Sequence, residues 1–202
     1  MTRASRVTEL PLLVGQLHSK LDAALSSSRA RFAQVPTRCQ SGCDACCHYP
    51  VQATLVEAYC VYRALDPGRM AAVRAYRDAY LARLDERGEP QDEEAEALLA
   101  WGLPCPLLEG GRCTAYETRP IACRACHSYS DPALCNQVRA NVLRDPGSRE
   151  VAVQALELAI ELEVAVSLPH RTTLLPFLLY ALDREPGDSP EAKLSSLSYK
   201  LR

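Results

Sequence analysis

Cysteine constrains this chain more than any other residue type, because ten of the 202 residues are cysteines and they are clustered. Four lie at positions 39, 43, 46 and 47, and four more lie between positions 105 and 126. Short C-x2-C and C-x3-C spacings let backbone N–H groups point at the sulfurs, so two such segments together can make a four-sulfur metal site. Three close cysteines and one remote cysteine can instead hold an iron–sulfur cluster.

Between and around these clusters the sequence predicts helices. The first is expected over 7–35, with Pro11 in its first turn. Its apolar face would carry Leu10, Leu13, Leu17, Leu21, Ala24 and Phe32. Thr54 and Glu57 form a capping box, Asp66 opens a further helix that Gly88 ends, and the acidic stretch 91–102 predicts a short helix.

The C-terminal part predicts three more helices. Ser148 is expected to cap a long one, with Val151, Ala155, Leu158, Leu162 and Val166 on its inner face. The apolar stretch 174–182 predicts a buried helix, and Ser189 precedes a last one. No alternating pattern of useful length indicates a strand. We therefore predict an all-α fold with two cysteine-rich loop segments, 36–53 and 103–131, that converge on a metal centre.

The whole chain, 1–202, is expected to form a single helical metal-binding domain. Its cysteine-cluster core would cover about 36–135, with helices over 7–35 and 148–202 packed on it. The net charge of -2 gives no general attraction to nucleic acid or to an anionic membrane. No apolar run is long enough to span a bilayer. These features predict neither a nucleic-acid partner nor a membrane partner.

The N-terminus lacks a convincing export signal, because Glu9 and Pro11 interrupt the stretch that follows Arg3 and Arg6. We therefore expect a cytoplasmic location. In that reducing compartment a crowd of cysteines is more often a metal site or a redox centre than a disulfide framework.

Two cysteine patterns offer alternatives to a simple metal site. Residues 123–127 read "CRACH", which is the C-x-x-C-H attachment signature of a c-type haem. Haem attachment needs export, which the sequence does not predict. Cys39, Cys43 and Cys46 have the spacing of radical SAM enzymes, but those enzymes need a βα-barrel, and strands are not apparent.

The order of the cysteine motifs is more specific than their number. C-x3-C-x2-C-C is followed by C-P-L-L at Cys105, C-T-A-Y at Cys113 and R-P-x-x-C-R ending at Arg124. Over about 39–124 this order resembles the CxxCxxCC, or YkgJ-type, cysteine-cluster family. The resemblance implies zinc or iron chelation, and a related module occurs in flagellin lysine N-methylases. The first spacing is three residues where the family has two.

The candidate metal ligands are eight cysteines: Cys39, Cys43, Cys46, Cys47, Cys105, Cys113, Cys123 and Cys126. Whether His48, His127 and Cys135 are also ligands is left open, as is the choice between one metal site and two. Cys60 lies in a helical pattern and is expected to pack in the core. Four arginines flank the cysteines and would offset thiolate charge: Arg38, Arg112, Arg119 and Arg124.

Two classes of function follow from these residues. In the first, the protein holds zinc or an iron–sulfur cluster for storage, sensing, delivery or structure, without catalysis. In the second, it is a cluster-dependent redox or methyltransferase-type enzyme, as the methylase resemblance allows. The sequence shows no cofactor motif and no acid–base set, which favours the first class. Soft thiolates suit zinc and iron–sulfur clusters alike, and the Cys-Pro step at Cys105 slightly favours iron–sulfur.

Overall fold

Helices dominate the computed structural model, which describes residues 3–35, 38–40, 42–88, 101–135, 137 and 141–200. The α-helices are α1 (Arg3–Ala30), α2 (Leu55–Ala64), α3 (Met70–Arg87), α4 (Ile121–Arg124), α5 (Pro132–Cys135), α6 (Pro146–Ala165), α7 (Leu175–Arg184) and α8 (Pro190–Lys200). Two 3-10 helices span Ala45–His48 and Pro67–Arg69, and the short strands are β1 (Gln52–Thr54), β2 (Leu108–Glu109), β3 (Arg112–Cys113) and β4 (Thr172–Leu174). In this described part, no helix has the length and apolar character needed to cross a membrane.

Helix α1 packs along α6, and their contact forms one of two apolar cores. Leu17, Leu21 and Leu25 recur every fourth residue, which places them on one helical face. This face is buried against Ala155 and Ala159 of α6. The small alanine side chains let the two helix backbones approach each other.

Helix α1 differs from the prediction at both ends. It begins at Arg3, so Pro11 lies inside it and not in its first turn. It ends at Ala30, and Phe32, which was predicted on the buried face, is 41 % exposed. The predicted helix over 7–35 is therefore correct over 7–30, and Ala24, which was also predicted on the buried face, is exposed.

The larger core lies where α2, α7 and α8 meet the first half of α1. Its most buried large side chains include Leu10, Tyr59, Leu179, Leu182 and Leu194. At about 25 cal/mol per Å² of buried apolar area, side chains of this size each stabilise the fold by roughly 1.5–3 kcal/mol. Cys105 and Cys113 of the second cysteine segment pack against this core, which therefore supports that segment.

The predicted signals at the ends of α2 and α3 are confirmed. The Thr54 hydroxyl accepts a hydrogen bond from the Glu57 backbone N–H, and the Glu57 carboxylate accepts one from the Thr54 N–H. Gly88 ends α3 with a φ of 74°, where a side chain would be strained. The acidic helix predicted over 91–102 lies almost wholly outside the described residues.

Two short antiparallel strand pairs qualify the all-α prediction. β1 pairs with β4, with Gln52 opposite Leu174, and so joins the end of the first cysteine segment to the start of α7. β2 and β3 form a hairpin whose turn, Gly110 and Gly111, has φ angles of 55° and 76°. Positive φ at both central residues is typical of a tight hairpin turn. Strands of two or three residues are too short to produce an alternating sequence pattern.

The start of α6 also differs from the prediction. The helix begins at Pro146 with Asp145 at the N-cap position, so the prediction that Ser148 caps it is wrong. Proline suits this first position because it has no N–H to satisfy. The Asp145 carboxylate instead accepts hydrogen bonds from Ser28 at 3.1 Å and from Tyr129 at 2.9 Å. The bond from Ser28 ties the start of α6 to the end of α1, and the bond from Tyr129 ties it to the loop after α4.

The inner face of α6 contains a buried carboxylate that was not predicted. Leu158, expected on this face, is 46 % exposed, whereas Glu163 is fully buried. Glu163 accepts a hydrogen bond from the Val56 N–H at 3.2 Å and interacts with His170 Nδ1 at 3.0 Å. It thereby satisfies a free N–H group in the first turn of α2. The inward face of α6 runs through Ala155, Ala159 and Glu163, so the predicted position of Leu158 was wrong.

His18 of α1 is a buried histidine beside a small cavity of about 390 Å³. It is 5 % exposed, and no partner for its Nε2 atom exists among the described residues. Burial lowers the pKa of His18 to about 4; Arg124 and Arg119 add to the shift, while Asp22 opposes it. His18 is therefore neutral in the folded protein at physiological pH.

This shift predicts acid sensitivity. Between about pH 6.5 and 4 the unfolded chain protonates His18 and the folded chain does not, so stability is lost as the pH falls through this window. The expected contribution is about 2 to 3 kcal/mol between pH 7.5 and 4.5. Urea unfolding at both pH values should therefore show a larger pH effect in the natural protein than in His18→Asn. An equal pH effect in both proteins would contradict the prediction.

Candidate metal centre

All eight predicted cysteines line one cavity of about 710 Å³. It lies between the two cysteine segments and the start of α6. Its cysteines are Cys39, Cys43, Cys46, Cys47, Cys105, Cys113, Cys123 and Cys126. As they stand, no three His, Cys, Asp or Glu side chains in the described residues are close enough to hold a metal ion. The thiols share the cavity without forming a coordination group.

Two tight turns shape the first cysteine segment. Gly42 has a φ of 87°, and the Cys43 N–H donates to the Gln40 carbonyl at 3.0 Å. The next turn is a 3-10 helix, in which the Cys47 N–H donates to the Asp44 carbonyl at 2.8 Å. These turns place Cys43, Cys46 and Cys47 beside the same cavity within five residues of chain.

The hairpin and α4 present the second cysteine segment. Cys113 lies on β3, opposite Leu108 of β2, and Cys105 lies just before the hairpin. Cys123 lies on α4, a single helical turn that begins after Pro120. The two segments are in direct contact, because the Cys105 N–H donates to the Cys47 carbonyl at 2.7 Å.

Glu57 anchors the second segment, and its role was only half predicted. Its carboxylate is 1 % exposed and accepts from the Ile121 N–H at 2.7 Å, as well as from the backbone and hydroxyl of Thr54. The capping box predicted the bonds to Thr54. The bond to Ile121, across 64 residues, has no local sequence signal. It fixes the helix that carries Cys123 to the N-terminus of α2.

Arg124 is a structural anchor and not a solvated charge. It is 5 % exposed, and its guanidinium donates to Asp22 at 2.6 Å, to the Arg119 carbonyl at 3.0 Å and to the Glu117 carbonyl. Burial lowers its pKa, and Asp22 opposes this shift. Arg124 thereby joins the loop before Cys123 to α1.

The other flanking arginines have different positions. Arg112 and Arg119 line the cavity with Arg124, whereas Arg38 does not. The Arg119 guanidinium lies 3.8 Å from the ring centre of Tyr116 and donates to the Tyr116 carbonyl at 2.7 Å. Three of the four predicted cations are therefore placed where they can offset thiolate charge.

Arg144 is a cavity residue that the sequence did not single out. Its guanidinium donates to the Cys126 sulfur at 3.1 Å. Cys39 is bound to the loop that follows α4. The Ser128 N–H donates to the Cys39 sulfur at 3.1 Å, and the Cys39 thiol donates to the Cys126 carbonyl at 3.7 Å. Two sulfurs thus already accept hydrogen bonds of the kind that stabilise thiolate ligands.

His127 lines the cavity, but its hydrogen bonding favours a ring that donates a hydrogen bond over one that binds a metal. Arg29 contacts His127 Nε2 at 2.7 Å, and a guanidinium can only donate. Nε2 therefore accepts, and the ring proton lies on Nδ1, which is buried without a partner among the described residues. Burial and Arg29 both lower the pKa of His127, so the ring is neutral. In this arrangement it offers an N–H group and no lone pair to a metal.

Burial keeps several cavity thiols protonated. It raises the pKa of Cys105 to about 11, and burial together with Cys105 raises the pKa of Cys123 well above its usual range. The hydrogen bond with Cys126 lowers the pKa of Cys46, but the hydrogen bond with Cys47 and burial together outweigh it and raise this pKa to about 12. Thiolate ligands must form before a soft metal binds, so metal binding here has to displace protons.

The remaining cysteines and His48 lie outside the cavity lining. Cys60 is 6 % exposed within α2, which confirms its prediction as a core residue. Cys135 is 8 % exposed, and its thiol lies 4.0 Å from the Asp131 carbonyl. His48 ends the 3-10 helix of the first segment. Cys60, Cys135 and His48 do not line the 710 Å³ cavity.

A mostly helical scaffold with clustered thiols beside arginines defines a class of protein suited to soft metal ions. A family model confirms the resemblance: residues 38–143 match CxxCxxCC, described as "Putative zinc- or iron-chelating domain". The match covers more than half of the chain, so the chain belongs to this family, and its description indicates zinc or iron chelation. No curated protein and no solved structure matches the chain.

Proposed function

We propose that this protein holds zinc or an iron–sulfur cluster through its clustered cysteines, in a non-catalytic storage, sensing, delivery or structural role. The observation that carries the proposal is the single cavity lined by eight cysteines from two segments distant in sequence. The proposed ligands are drawn from these eight. The 2.7 Å bond between Cys105 and Cys47 supports ligation from both segments, because it brings their backbones together.

The donor set fits a soft cation better than a hard one. Thiolates favour zinc, copper(I) and iron–sulfur clusters, whereas calcium and magnesium prefer oxygen ligands. Of the carboxylates in the described residues, Asp44 alone lines the cavity. Nearby arginines would stabilise the thiolates once their protons have left. When bound, the metal would cross-link loops that have little apolar surface of their own to bury.

Substitution of the second-segment cysteines tests this proposal. Cys113→Ser and Cys123→Ser should each lower bound metal by at least about half, because a serine hydroxyl is a poor ligand for soft metals. Metal analysis and a visible spectrum, recorded on protein purified without oxygen, provide the measurement. Broad absorption with iron and sulfide would identify an iron–sulfur cluster, and colourless protein with zinc would identify zinc.

Cys60→Ala is the matched control. This cysteine is buried in the apolar core at α2 and does not line the cavity. Its removal should leave metal content unchanged. Full metal content in both Cys113→Ser and Cys123→Ser would overturn the ligand assignment.

A further inference from the structure

We propose that the cavity takes up its metal from a small anionic chelate, in which carboxylates hold the ion, and that four arginines of the cavity wall attract this complex. These four, called the arginine set below, are Arg112, Arg119, Arg144 and Arg149. This inference rests on the proposed function and adds to it the chemical form in which the metal arrives.

The cavity wall carries an excess of positive charge before any metal binds. Apart from the arginine set, the charged side chains on the described wall are Arg124 and Asp44. Arg124 is paired with Asp22, so Asp44 alone opposes the arginine set. The thiols add little negative charge, because a free thiol is mostly protonated at neutral pH. A bare divalent cation that approaches this wall therefore meets like charges, whereas an anionic complex meets opposite ones.

The arginine set has no ion pair with a carboxylate in the described part of the chain. Arg112, Arg144 and Arg149 are also exposed, so they are accessible to a ligand from solution. A guanidinium matches a carboxylate with two parallel N–H donors, which makes this one of the stronger charge-assisted contacts in proteins. Within the described residues this capacity is unused, and a carboxylate ligand would satisfy it.

Contacts with tyrosine rings position two members of the set. The Arg119 guanidinium lies 3.8 Å from the ring centre of Tyr116, and the Arg144 guanidinium lies 6.0 Å from that of Tyr49. One nitrogen of Arg119 donates to the Tyr116 carbonyl, and one of Arg144 donates to the Cys126 sulfur. Because a guanidinium has five N–H donors, both keep donors for a carboxylate. Arg144 can therefore hold a chelate next to a thiol that would receive the metal.

The start of α6 adds to the positive charge. Ser148, Arg149 and Ala152, in the first two turns of this 20-residue helix, line the cavity. A helix N-terminus carries a partial positive charge of about half a unit and stabilises anions nearby. The backbone of α6 thus favours the same sign of ligand as the arginine set.

The size of the cavity indicates a small carrier and not an acidic protein surface. Its volume of about 710 Å³ lies within the range of roughly 300–1,000 Å³ found for small-molecule sites. The exchange also balances chemically. For each carboxylate–metal bond that breaks, a thiolate–metal bond forms, and the thiol proton passes to the released carboxylate or to buffer.

Zinc uptake from two donors provides the test. Reduced, chelator-treated full-length protein, kept without oxygen, is mixed with zinc nitrilotriacetate, whose three carboxylates leave a net negative charge, or with the hydrated ion from zinc chloride. Ultraviolet absorption of the new zinc–thiolate bonds gives the second-order uptake rate. In the double variant Arg112→Gln/Arg149→Gln, uptake from nitrilotriacetate should be at least about fivefold slower at low salt. Uptake of the hydrated ion should be unchanged or faster. At 1 M sodium chloride the difference should largely disappear, because the Debye length falls to about 3 Å.

Arg87→Gln/Arg184→Gln is the matched control. Both arginines are exposed, have no ion pair among the described residues and do not line the cavity. The control removes the same charge, and its rates should equal those of the natural protein.

The outcomes separate this inference from the proposed function. Three results would overturn the inference and leave the proposed function standing: unchanged uptake from nitrilotriacetate in the cavity variant, equal slowing for both donors, or equal slowing in the control. No uptake from either donor by the natural protein would also overturn it. That result together with the absence of an iron–sulfur spectrum would overturn the proposed function as well.

Discussion

Glu57→Ala should lower the free energy of unfolding by about 3 to 5 kcal/mol, because it leaves several buried hydrogen-bond donors without an acceptor. The Ile121 N–H, the Thr54 N–H and the Thr54 hydroxyl all donate to this carboxylate. Alanine removes every acceptor atom and leaves a cavity where water has little access, since Glu57 is 1 % exposed. Urea unfolding at pH 7.5 is the measurement.

The same substitution should weaken metal binding, because Glu57 fixes the helix that carries Cys123. Glu57→Gln should have an intermediate effect, since its amide keeps one oxygen acceptor. Glu86→Ala is the control: this side chain is 63 % exposed in an ion pair with Arg83, and its loss should cost less than about 1 kcal/mol. A loss below about 1 kcal/mol for Glu57→Ala would show that the buried bonds to Ile121 and Thr54 are not important for stability.

Metal removal is the second change with a large expected effect. Chelation under reducing conditions should loosen residues 36–53 and 103–131 first, because these segments have little apolar surface of their own to bury and their order would depend on the metal. Helix α6 buries its own apolar face against α1 and should keep most of its structure.

Hydrogen exchange followed by mass spectrometry checks this difference. Amides of Cys43, Cys105 and Cys123, whose hydrogen bonds lie in the cysteine segments, should exchange at least about tenfold faster after chelation. Amides around Val151 to Val166 should change by less than about threefold. An equal loss of protection in α6 would mean that the metal organises the whole fold. Unchanged protection in the cysteine segments would contradict the proposed metal site.

Local sequence signals predicted much of the scaffold. Leu10, Leu17 and Leu21 predicted part of the buried face of α1, and the capping box predicted the start of α2, because both depend on residues a few positions apart. The eight cysteines that the motifs indicate as metal ligands line one cavity, and their role as ligands stays a prediction. Their order was specific enough to indicate the family that the match confirms.

Contacts between distant residues were the ones that sequence reasoning missed. The bonds from Ile121 to Glu57 and from Arg144 to Cys126 join residues 64 and 18 positions apart, and neither follows a periodic pattern. Leu158 was placed on the inner face of α6 because it follows Ala155 and precedes Leu162 at helical spacing. In the fold, Glu163 is buried because a free N–H group of α2 needs an acceptor there.

Thiol alkylation of the metal-loaded protein tests the central claim most directly, because it shows which cysteines the metal protects. Loaded and chelated samples are treated with iodoacetamide, and each cysteine is quantified by mass spectrometry. The account predicts metal-dependent protection in both segments, at Cys43 and Cys46 as well as at Cys105, Cys113 and Cys123. Cys60, which is buried outside the cavity, should react equally slowly in both samples. Protection confined to one segment, or none at all, would contradict a metal held between the two.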